Sequence, residues 1–342
     1  MKILLLGLGR WGNNHLRVLR SLPVELFVVD IDESRLKQCS DLGIPDSHLS
    51  VNLHAFTAKI DAAVVATPAQ THFIICEELL KLGKDLFVEK PLALSASEAM
   101  TLTELAEKNL CILQVGHIFR YDGASQWLYD AIHEGKFGHI NILRGNFSGF
   151  KNPRNDTGVA FADAIHFVDL FNYFMGRPPE RVTALLRDFM GRGMEDEIFI
   201  MMDYDNDTGL TWAKIEAGYH SPGKCREVLV IGTELSASCD YNVSPHEIKL
   251  YDNKRVKEGS RFYALEGSMN QLKFSTEEPL LTELRAFLNS VQTRTSPLAN
   301  GREGYESVRV LEAALESAKR GRRIELNDGQ NSRKRSERNC VI

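Results

Sequence analysis

The stretch Lys2-Ile-Leu-Leu-Leu-Gly7-Leu-Gly9-Arg10-Trp11-Gly12 near the start of the chain decides the fold. After Lys2, its first part is a short apolar run, which is typical of a strand buried on both faces of a parallel sheet. The three glycines that follow have the spacing G-x-G-x-x-G, and an amphipathic segment at residues 14–22 comes next. The pattern therefore predicts a strand, a tight glycine turn and a helix.

This strand–turn–helix unit has the features of a dinucleotide site. Gly7 permits the tight turn, Gly9 lets the backbone approach a pyrophosphate, and Gly12 lets the helix pack closely on the strand. The free N–H groups at the helix N-terminus favour the anion. An acidic residue, Asp30, ends the next apolar run, 18 residues after Gly12. We therefore predict that the cofactor is bound by Gly7, Gly9, Arg10, Trp11, Gly12 and Asp30.

The identity of the cofactor depends on the acidic residue. Asp30 would accept hydrogen bonds from the adenosine ribose hydroxyls, and its charge would repel a 2′-phosphate. The sequence therefore favours NAD over NADP. Arg35 is the residue that could turn toward a 2′-phosphate, although a surface position on a helix also explains it.

The rest of the chain divides into two folding patterns. Up to residue 122, short apolar runs (26–29, 62–66, 86–88, 112–115) alternate with helical segments (71–82, 95–109), which predicts a doubly wound parallel α/β Rossmann domain at 1–122. Beyond it, strand-like segments follow one another (139–150, 181–189, 197–204, 210–219, 227–239, 247–251) with few helices (123–134, 158–176, 279–293, 304–320). This predicts an α+β domain at 123–326 with a large, mostly antiparallel sheet. The polar, basic tail 327–342 is predicted to be disordered.

Composition excludes several classes of function. The 342 residues carry a net charge of −5, which provides no electrostatic reason to expect nucleic acid or an anionic membrane as a partner. No apolar stretch reaches the ~20 residues of a membrane span. The six cysteines form no CxxC pair, so we expect reduced thiols, no metal site and a cytoplasmic protein.

Three further motifs follow the glycine loop in a fixed order. They are Ala66-Thr67-Pro68 followed by His72, then Glu89-Lys90-Pro91, then Gly116-His117-Ile-Phe-Arg120-Tyr121. Together the four motifs resemble the glucose–fructose oxidoreductase, inositol dehydrogenase and rhizopine catabolism (Gfo/Idh/MocA) family. The resemblance extends to Leu326 and implies hydride transfer between a nicotinamide and a carbon that bears a hydroxyl or ketone. It further implies a carbohydrate, cyclitol or sugar-nucleotide substrate, a homodimer or homotetramer, and cofactor contacts from Thr67, Pro68, His72, Glu89 and Lys90.

Lys90 is the first candidate catalytic residue. It ends a buried strand, and the carboxyl ends of parallel strands border the ligand crevice of an α/β sheet. We expect that burial beside a nicotinamide cation lowers the pKa of Lys90, so that it shares in proton transfer with the reacting hydroxyl. A cis bond to Pro91 would fix the direction of the lysine.

His166 is the second candidate, in the predicted helix at 158–176. Asp163 and Asp169 lie three residues to either side of it, so both are near it on the helix surface. Flanking carboxylates make an imidazole more basic, which suits a general base. The family commonly has an aspartate four residues before this histidine, but here that position is Ala162. Asp163 is a candidate catalytic residue one step later, about 100° around a helix. Asp169 would bind a substrate hydroxyl or interact only with nearby polar groups of the protein.

Other charged residues have two interpretations. Arg120 and Tyr121 would contact substrate or form a structural ion pair. Lys151 and Arg154 precede the His166 helix, where they would bind an anion of the substrate or belong to a solvated loop. For His15, a buried helix contact is favoured over a role in function.

The glycine loop and Asp30 thus predict an NAD-binding oxidoreductase. The resemblance implies that it acts on a sugar, cyclitol or sugar nucleotide, with UDP-N-acetylglucosamine 3-dehydrogenase activity as a specific candidate. Two alternatives remain. One is a relative that keeps its NAD tightly bound and recycles it within a turnover. The other is a non-catalytic regulator that binds a dinucleotide, against which the presence of Lys90 and His166 argues.

Overall fold

A computed structural model describes residues 1–206, 209–243, 246–274 and 277–326. Its contacts divide the chain into two units, each discontinuous in sequence. Within the described residues, one unit comprises 1–122 and 277–309, and the other comprises 123–274 and 310–326. Residues 277–309 were predicted to belong to the second domain, whereas their contacts group them with the first unit. The predicted disordered tail, 327–342, lies outside the described residues.

The secondary structure alternates strands and helices first and then changes to successive strands. The first part contains β1 (Lys2–Leu6), α1 (Arg10–Leu19), β2 (Glu25–Val29), α2 (Glu33–Asp41), β3 (Leu49–Ser50), β4 (Ala62–Val65), α3 (Ala69–Lys81), β5 (Asp85–Val88), α4 (Ala96–Lys108) and β6 (Leu113–Val115). The second part contains α5 (Gly123–His133), β7 (Ile140–Gly149), a π-helical turn (Ala160–Ala164), α6 (Ile165–Met175), β8 (Arg181–Arg187), β9 (Glu197–Asn206), β10 (Gly209–Gly218), β11 (Lys224–Gly232), β12 (Ser236–Asp240), β13 (Glu247–Tyr251), β14 (Lys254–Glu258), β15 (Arg261–Leu265) and β16 (Met269–Lys273). The chain continues with α7 (Pro279–Thr293), α8 (Gly301–Arg320) and β17 (Ile324–Glu325).

The first unit is built on a six-stranded parallel sheet in the order β3-β2-β1-β4-β5-β6. This confirms the predicted doubly wound fold. The strand order reverses beside β1, since β2 pairs with one edge of β1 and β4 with the other. In such sheets, ligands bind beyond the carboxyl ends of the strands at this switch point. Gly7, which follows β1, and Glu89 and Lys90, which follow β5, therefore lie at the ligand-binding edge.

Hydrophobic burial explains which helices the sequence revealed. In α1, the apolar side chains Leu16, Val18 and Leu19 are buried, and the periodic pattern predicted a helix there. Helix α2 was not predicted, because only Leu36 and Cys39 of its nine residues are buried and its apolar stripe is narrow. It begins at Asp32, whose side chain caps it. Helix capping thus defines an element that hydrophobic periodicity misses.

The second unit contains a nine-stranded sheet in the order β16-β13-β12-β11-β7-β10-β9-β8-β17. The β7–β10 pair is parallel and the others are antiparallel, as expected for an α+β domain. Helix α6 is buried almost throughout, with Phe167, Phe171 and Phe174 fully inaccessible to solvent. It lies on β7 and β10 and thereby holds the residues near its start against the sheet.

The predicted single strand at 227–239 was wrong, because the structure has two strands, β11 and β12, joined by a tight turn. The N–H groups of Thr233 and Glu234 donate to the carbonyls of His139 and Phe137, which draws the chain out of the ladder. At Gly232, a Cβ would lie 2.1 Å from the Phe137 carbonyl oxygen, so only glycine fits at this turn. The β14–β15 hairpin was not predicted either, and all ten of its strand residues are exposed. No described helix is long and apolar enough to cross a membrane.

Candidate functional site

The glycine loop forms the first part of the candidate site. Gly7 has a φ of +90°, and its N–H donates to the Val29 carbonyl at 2.9 Å. A Cβ on Gly12 would lie 1.9 Å from the Gly7 carbonyl oxygen, whereas a Cβ on Gly9 would meet nothing within 4 Å. Gly12 is therefore required for packing of α1 on the loop, and Gly9 leaves open space at the helix N-terminus. The backbone N–H groups of Gly9, Arg10 and Trp11 lie there, where an anion is favoured.

Asp30 connects this loop to the end of β2. Its buried carboxylate accepts hydrogen bonds from the N–H of Leu8 at 2.5 Å and from the N–H of Asp32 at 2.8 Å. The guanidinium of Arg35 contacts the same Asp30 carboxylate at 3.5 Å and Asp32 at 3.3 Å. Arg35 is thus held by two carboxylates, and Asp30 is oriented by the backbone of the glycine loop.

A buried hydrogen bond joins helix α1 to the segment that carries Lys90. The Nε2 of His15, which is 0% exposed, lies 2.7 Å from Oε1 of Glu89, and Oε2 of Glu89 accepts the Lys90 N–H at 3.3 Å. Because an ionised carboxylate only accepts, His15 is the donor. Burial by itself raises the pKa of Glu89, but the His15 hydrogen bond and the charges of His15, Lys90 and His72 outweigh it and hold that pKa below its ordinary value. Lys90 itself is 6% exposed.

His15 has a polar contact that the sequence did not predict. It was expected to be a buried helix contact, and it is buried against the edge of Phe87. It also forms the polar link to Glu89 described above. The signal available in the sequence was a polar side chain on the buried face of a helix, which requires a hydrogen-bonding partner. The partner, 74 residues away, could not be identified from the sequence.

His72 bridges the two other motif segments. Its Nδ1 lies 2.7 Å from the Pro91 carbonyl oxygen, and its Nε2 lies 3.0 Å from the Thr67 carbonyl oxygen. The ring is 1% exposed, so its contacts orient the loops after β4 and β5. Pro68 begins α3 as its N-terminal cap residue. The Lys90–Pro91 bond is cis, as predicted.

Arg120 is in a structural ion pair. Its guanidinium donates to a carboxylate oxygen of Glu303 at 2.7 Å and to the Leu298 carbonyl at 3.1 Å. It is 2% exposed, and the adjacent Tyr121 is also buried. The structural interpretation of Arg120 thus has a carboxylate partner in Glu303, and a contact of Arg120 with substrate stays a prediction.

The second unit contains the other candidate catalytic residues. Asp163 lies in the π-helical turn at Ala160–Ala164, immediately before α6. A π turn is wider than an α turn, so the angle between Asp163 and His166 differs from that of the regular helix assumed in the sequence analysis. The carboxylate of Asp163 is directed to Lys151, whose Nζ lies 2.5 Å from Oδ2. Such π turns occur frequently at functional sites.

Cationic side chains lie around Phe147, the ring on which His166 stacks. Its imidazole stacks on Phe147, with ring centroids 5.0 Å apart. The guanidinium of Arg226 lies 3.5 Å from the centroid of the same ring, and Lys151 Nζ lies 5.4 Å from it. Lys151 also lies 5.3 Å from the ring centroid of Tyr219. Arg226 and Tyr219 were not predicted as site residues, because neither has a motif around it.

Asp169 lies on an interior part of α6. It is buried, and its charge contributes to raising the pKa of Tyr204, although burial of that phenol is the larger cause. The Tyr204 hydroxyl donates to the side-chain oxygen of Asn172 at 2.8 Å. Asp169 is thus close enough to Tyr204 to affect the pKa of its phenol, and both interpretations of Asp169 stay predictions.

Both cations of the predicted anion-binding loop are paired with carboxylates. Arg154 donates to the two oxygens of Asp156, at 2.6 Å and 2.5 Å, and Lys151 pairs with Asp163. Their charges are therefore compensated within the loop and the π turn. No group of three or more metal-ligating side chains occurs among the described residues.

Comparisons with known proteins identify the family of this chain. The family profile described as "Oxidoreductase family, NAD-binding Rossmann fold" matches residues 1–117, and the profile described as "Oxidoreductase family, C-terminal alpha/beta domain" matches residues 130–326. Myo-inositol 2-dehydrogenase of Thermotoga maritima is 26% identical, covering 96% of this chain and 99% of that protein. The scyllo-inositol 2-dehydrogenase (NAD(+)) of Bacillus subtilis is 27% identical, covering 94% and 95%.

A solved structure shows the same fold. UDP-N-acetylglucosamine 3-dehydrogenase from Acidithiobacillus ferrooxidans superposes with a TM-score of 0.78 at 22% identity, covering 94% of this chain and 98% of that one. Both domain profiles match in sequence order, and together they cover most of the chain. The chain therefore belongs to the Gfo/Idh/MocA family of oxidoreductases.

Proposed function

We propose that this protein is an NAD-dependent dehydrogenase that interconverts a secondary alcohol and a ketone on a sugar, cyclitol or sugar nucleotide. The observation that carries the proposal is the buried His15–Glu89 hydrogen bond, with Lys90 adjacent to it. It connects the helix that follows the glycine loop to the lysine at the carboxyl end of β5. A nucleotide loop and a buried lysine are thereby coupled at the ligand-binding edge of one sheet.

The residues present fit a bound NAD. Gly9 leaves space for a pyrophosphate at the N-terminus of α1. Asp30 Oδ2 accepts from Leu8 and Arg35, whereas Oδ1 accepts the N–H of Asp32 and retains a second acceptor position for a ribose hydroxyl. The negative charge of Asp30 disfavours a 2′-phosphate, and Arg35 is engaged by Asp30 and Asp32. When bound, NAD supplies the hydride acceptor at its nicotinamide C4.

Residues of the protein accept the proton and orient the alcohol. Oxidation of a secondary alcohol removes a hydride from carbon and a proton from oxygen. We assign the hydrogen bond to the reacting hydroxyl to Lys90, whose backbone is held by Glu89, and general-base catalysis to His166. Asp163 is assigned a supporting charge one helical turn from His166, with its direction set by Lys151.

The test measures NADH formation from inositols, aldoses and UDP-N-acetylglucosamine, with the wild type beside Lys90→Met and His166→Asn. The expected result is turnover of one substrate class, with kcat lost by at least about a hundredfold in Lys90→Met while the Kd for NAD is unchanged. Lys84→Met is a matched control, because this partly exposed lysine donates to a loop carbonyl, that of Ile60. Unchanged kcat in Lys90→Met would contradict the assignment.

The same assay separates the alternatives. Turnover of substrate without accumulation of NADH, together with NAD that survives gel filtration, indicates a protein that recycles its cofactor. NAD binding without turnover of any substrate indicates a regulator.

We further propose that the protein forms a homo-oligomer through the open face of the nine-stranded sheet. Large apolar side chains are exposed along β8, β9 and β10, namely Leu185, Phe199, Met201, Leu210 and Trp212. Leu185 and Phe199 are register partners on neighbouring strands, so the exposed surface is continuous there. Contiguous apolar surface of this kind marks interaction sites. Light scattering after gel filtration tests it: Phe199→Glu is expected to reduce the particle mass, and a wild-type monomer would refute it.

A further inference from the structure

The loop between β8 and β9 is held rigidly beside the start of the His166 helix. Asp188 accepts the backbone N–H groups of Arg192 and Gly193, at 3.0 Å and 2.7 Å. At the other end, Glu195 accepts the N–H of Ala160 with its side chain at 3.1 Å, and its carbonyl accepts the N–H of Val159 at 2.9 Å. Arg192 thus stands on a loop that is anchored both internally and to the π turn.

The guanidinium of Arg192 presents an unused hydrogen-bonding edge. Its Nη1 donates to the Arg154 carbonyl at 2.7 Å. Its Nε and Nη2 are buried from solvent, and neither has a hydrogen-bond partner among the described residues. These two nitrogens form the side of the guanidinium that binds two oxygens of a carboxylate or phosphate in parallel. Buried N–H donors are normally hydrogen-bonded, so we expect an acceptor to bind at this edge of the guanidinium.

Two buried hydroxyls accompany this edge. Tyr219 is 1% exposed, and its hydroxyl makes no hydrogen bond to the described residues. Its ring centroid lies 5.3 Å from Lys151 Nζ, and its backbone N–H donates at 3.1 Å to the carbonyl of Asp196, at the end of the loop that carries Arg192. Burial raises the pKa of this phenol. The hydroxyl of Thr157, in the loop before the π turn, is likewise buried and makes no hydrogen bond to the described residues.

The local charges leave Arg192 available. No carboxylate of the described chain lies within 4.0 Å of its guanidinium, whereas Lys151 and Arg154 are each paired with an aspartate. The acidic neighbours are engaged elsewhere, Asp163 with Lys151 and Glu195 with the N–H of Ala160. Arg192 is therefore a cation whose charge is not compensated by an ion pair within the described residues. Arg226 has no ion pair there either, but its guanidinium lies on the Phe147 ring and donates to the carbonyls of Ser148 and Cys225.

We propose that Arg192 Nε and Nη2, with the hydroxyls of Tyr219 and Thr157, bind an oxyanion of the substrate, a carboxylate or a phosphate group. This inference rests on the proposed dehydrogenase function and narrows its substrate class. It favours a sugar acid, a sugar phosphate or a nucleotide sugar over a neutral cyclitol. It also replaces Lys151 and Arg154 as the anion-binding residues.

Direct binding provides the first test, since it does not require turnover. Calorimetry with UDP and with glucuronate as probes is run on the wild type, Arg192→Gln, Arg192→Lys and Tyr219→Phe. We expect one probe to bind the wild type, and binding to weaken by about tenfold or more in Arg192→Gln. Arg192→Lys should not restore it, because an ammonium lacks the two-pronged edge. Binding of UDP alone identifies a phosphate site, and binding of glucuronate alone identifies a carboxylate site.

The matched control is Arg187→Gln, which removes the same charge from an exposed position at the end of β8. Its binding should equal that of the wild type, and thermal melts of all variants confirm that they fold. Failure of both probes to bind the wild type, or equal binding to Arg192→Gln, overturns the proposal.

Steady-state kinetics separates this inference from the proposed function. For an anionic substrate, Arg192→Gln should raise KM by about tenfold or more with the Kd for NAD unchanged. Turnover of a neutral substrate that is identical in wild type and Arg192→Gln would leave the dehydrogenase standing and refute the oxyanion site. Loss of probe binding in Arg192→Gln, without turnover of any substrate by the wild type, would support the oxyanion site and refute the proposed function.

Discussion

Replacement of Gly12 by alanine tests the packing of the glycine loop most directly. The added Cβ would stand 1.9 Å from the Gly7 carbonyl oxygen and 2.7 Å from its carbonyl carbon. Ordinary contact requires roughly 3.4 Å or more, so α1 or the loop must move by about 1.5 Å. Neither moves easily, because Gly7 is bonded to Val29 and α1 is fixed by buried Leu16 and Leu19.

The expected cost follows from this displacement. One extra methyl group forced into a packed interior costs about 1–3 kcal/mol, and a clash with backbone belongs at the upper end of that range. For a unit of this size, each kcal/mol lowers the melting temperature by about 2–4 °C. We therefore expect Gly12→Ala to lower the melting temperature of the first unit by about 6–12 °C in a fluorescence melt without ligand.

Gly9→Ala is the matched control, with the opposite expectation. The backbone of Gly9 has φ −65° and ψ −168°, which alanine adopts freely, and its Cβ would meet nothing within 4 Å. Stability without ligand should be unchanged. The methyl group would, however, occupy the space of the pyrophosphate, and loss of one hydrogen bond to a charged group weakens binding by about tenfold or more. A Gly12→Ala protein that melts with the wild type, or a Gly9→Ala protein that binds NAD normally, would refute the reasoning.

Three further perturbations test single side chains. His15→Ala should lower the unfolding free energy by about 1–3 kcal/mol and raise the pKa of Glu89, because burial then acts without the hydrogen bond. Urea titrations at a series of pH values from about pH 3 to pH 8 measure both effects. The pKa of Glu89 in the folded protein is below its ordinary 4.5, so ionised Glu89 stabilises the fold fully above pH 4.5. This stabilisation is lost as the pH falls through the folded pKa, and His15→Ala should make that loss smaller. Burial alone would raise the pKa of Asp196, but hydrogen bonds from backbone N–H groups and a histidine lower it. Asp196→Asn should therefore also weaken the loss of unfolding free energy below about pH 4. An unchanged loss of stability in acid would contradict this contribution of Asp196. Asp30→Ala should lower the affinity for NAD and reduce the preference for NAD over NADP, which Kd measurements with both cofactors would show. An unchanged ratio of the two Kd values would exclude Asp30 as the residue that selects NAD.

The parts of the site that could be predicted are those built by neighbouring residues. The glycine loop, Asp30 and Lys90 each follow a short apolar strand, and parallel strands present their carboxyl ends at one edge. Strand pattern and the rule for that edge therefore suffice to place them. The same reasoning predicted the parallel sheet but missed β3, which has only two residues, and α2, whose buried stripe is narrow.

The hydrophobic pattern and the motifs could not predict contacts between segments that are distant in the sequence. A sequence shows that Lys151 and Arg154 are cations, but not that Asp163 and Asp156 compensate them. It likewise shows Arg192 between two glycines, but not that two of its N–H groups are buried without an acceptor in the described chain.

By itself, the sequence determined the family, the α/β and α+β fold classes, and the position of the nucleotide loop. These depend on local periodicity and on glycines whose backbone geometry few other residues adopt. Only the tertiary structure decided that His15 serves Glu89, that a π turn directs Asp163 to Lys151, and that residues 277–309 belong with the first unit. The physical reason is that hydrogen bonding and charge compensation depend on distances between side chains, and folding alone brings together residues that lie far apart in the chain.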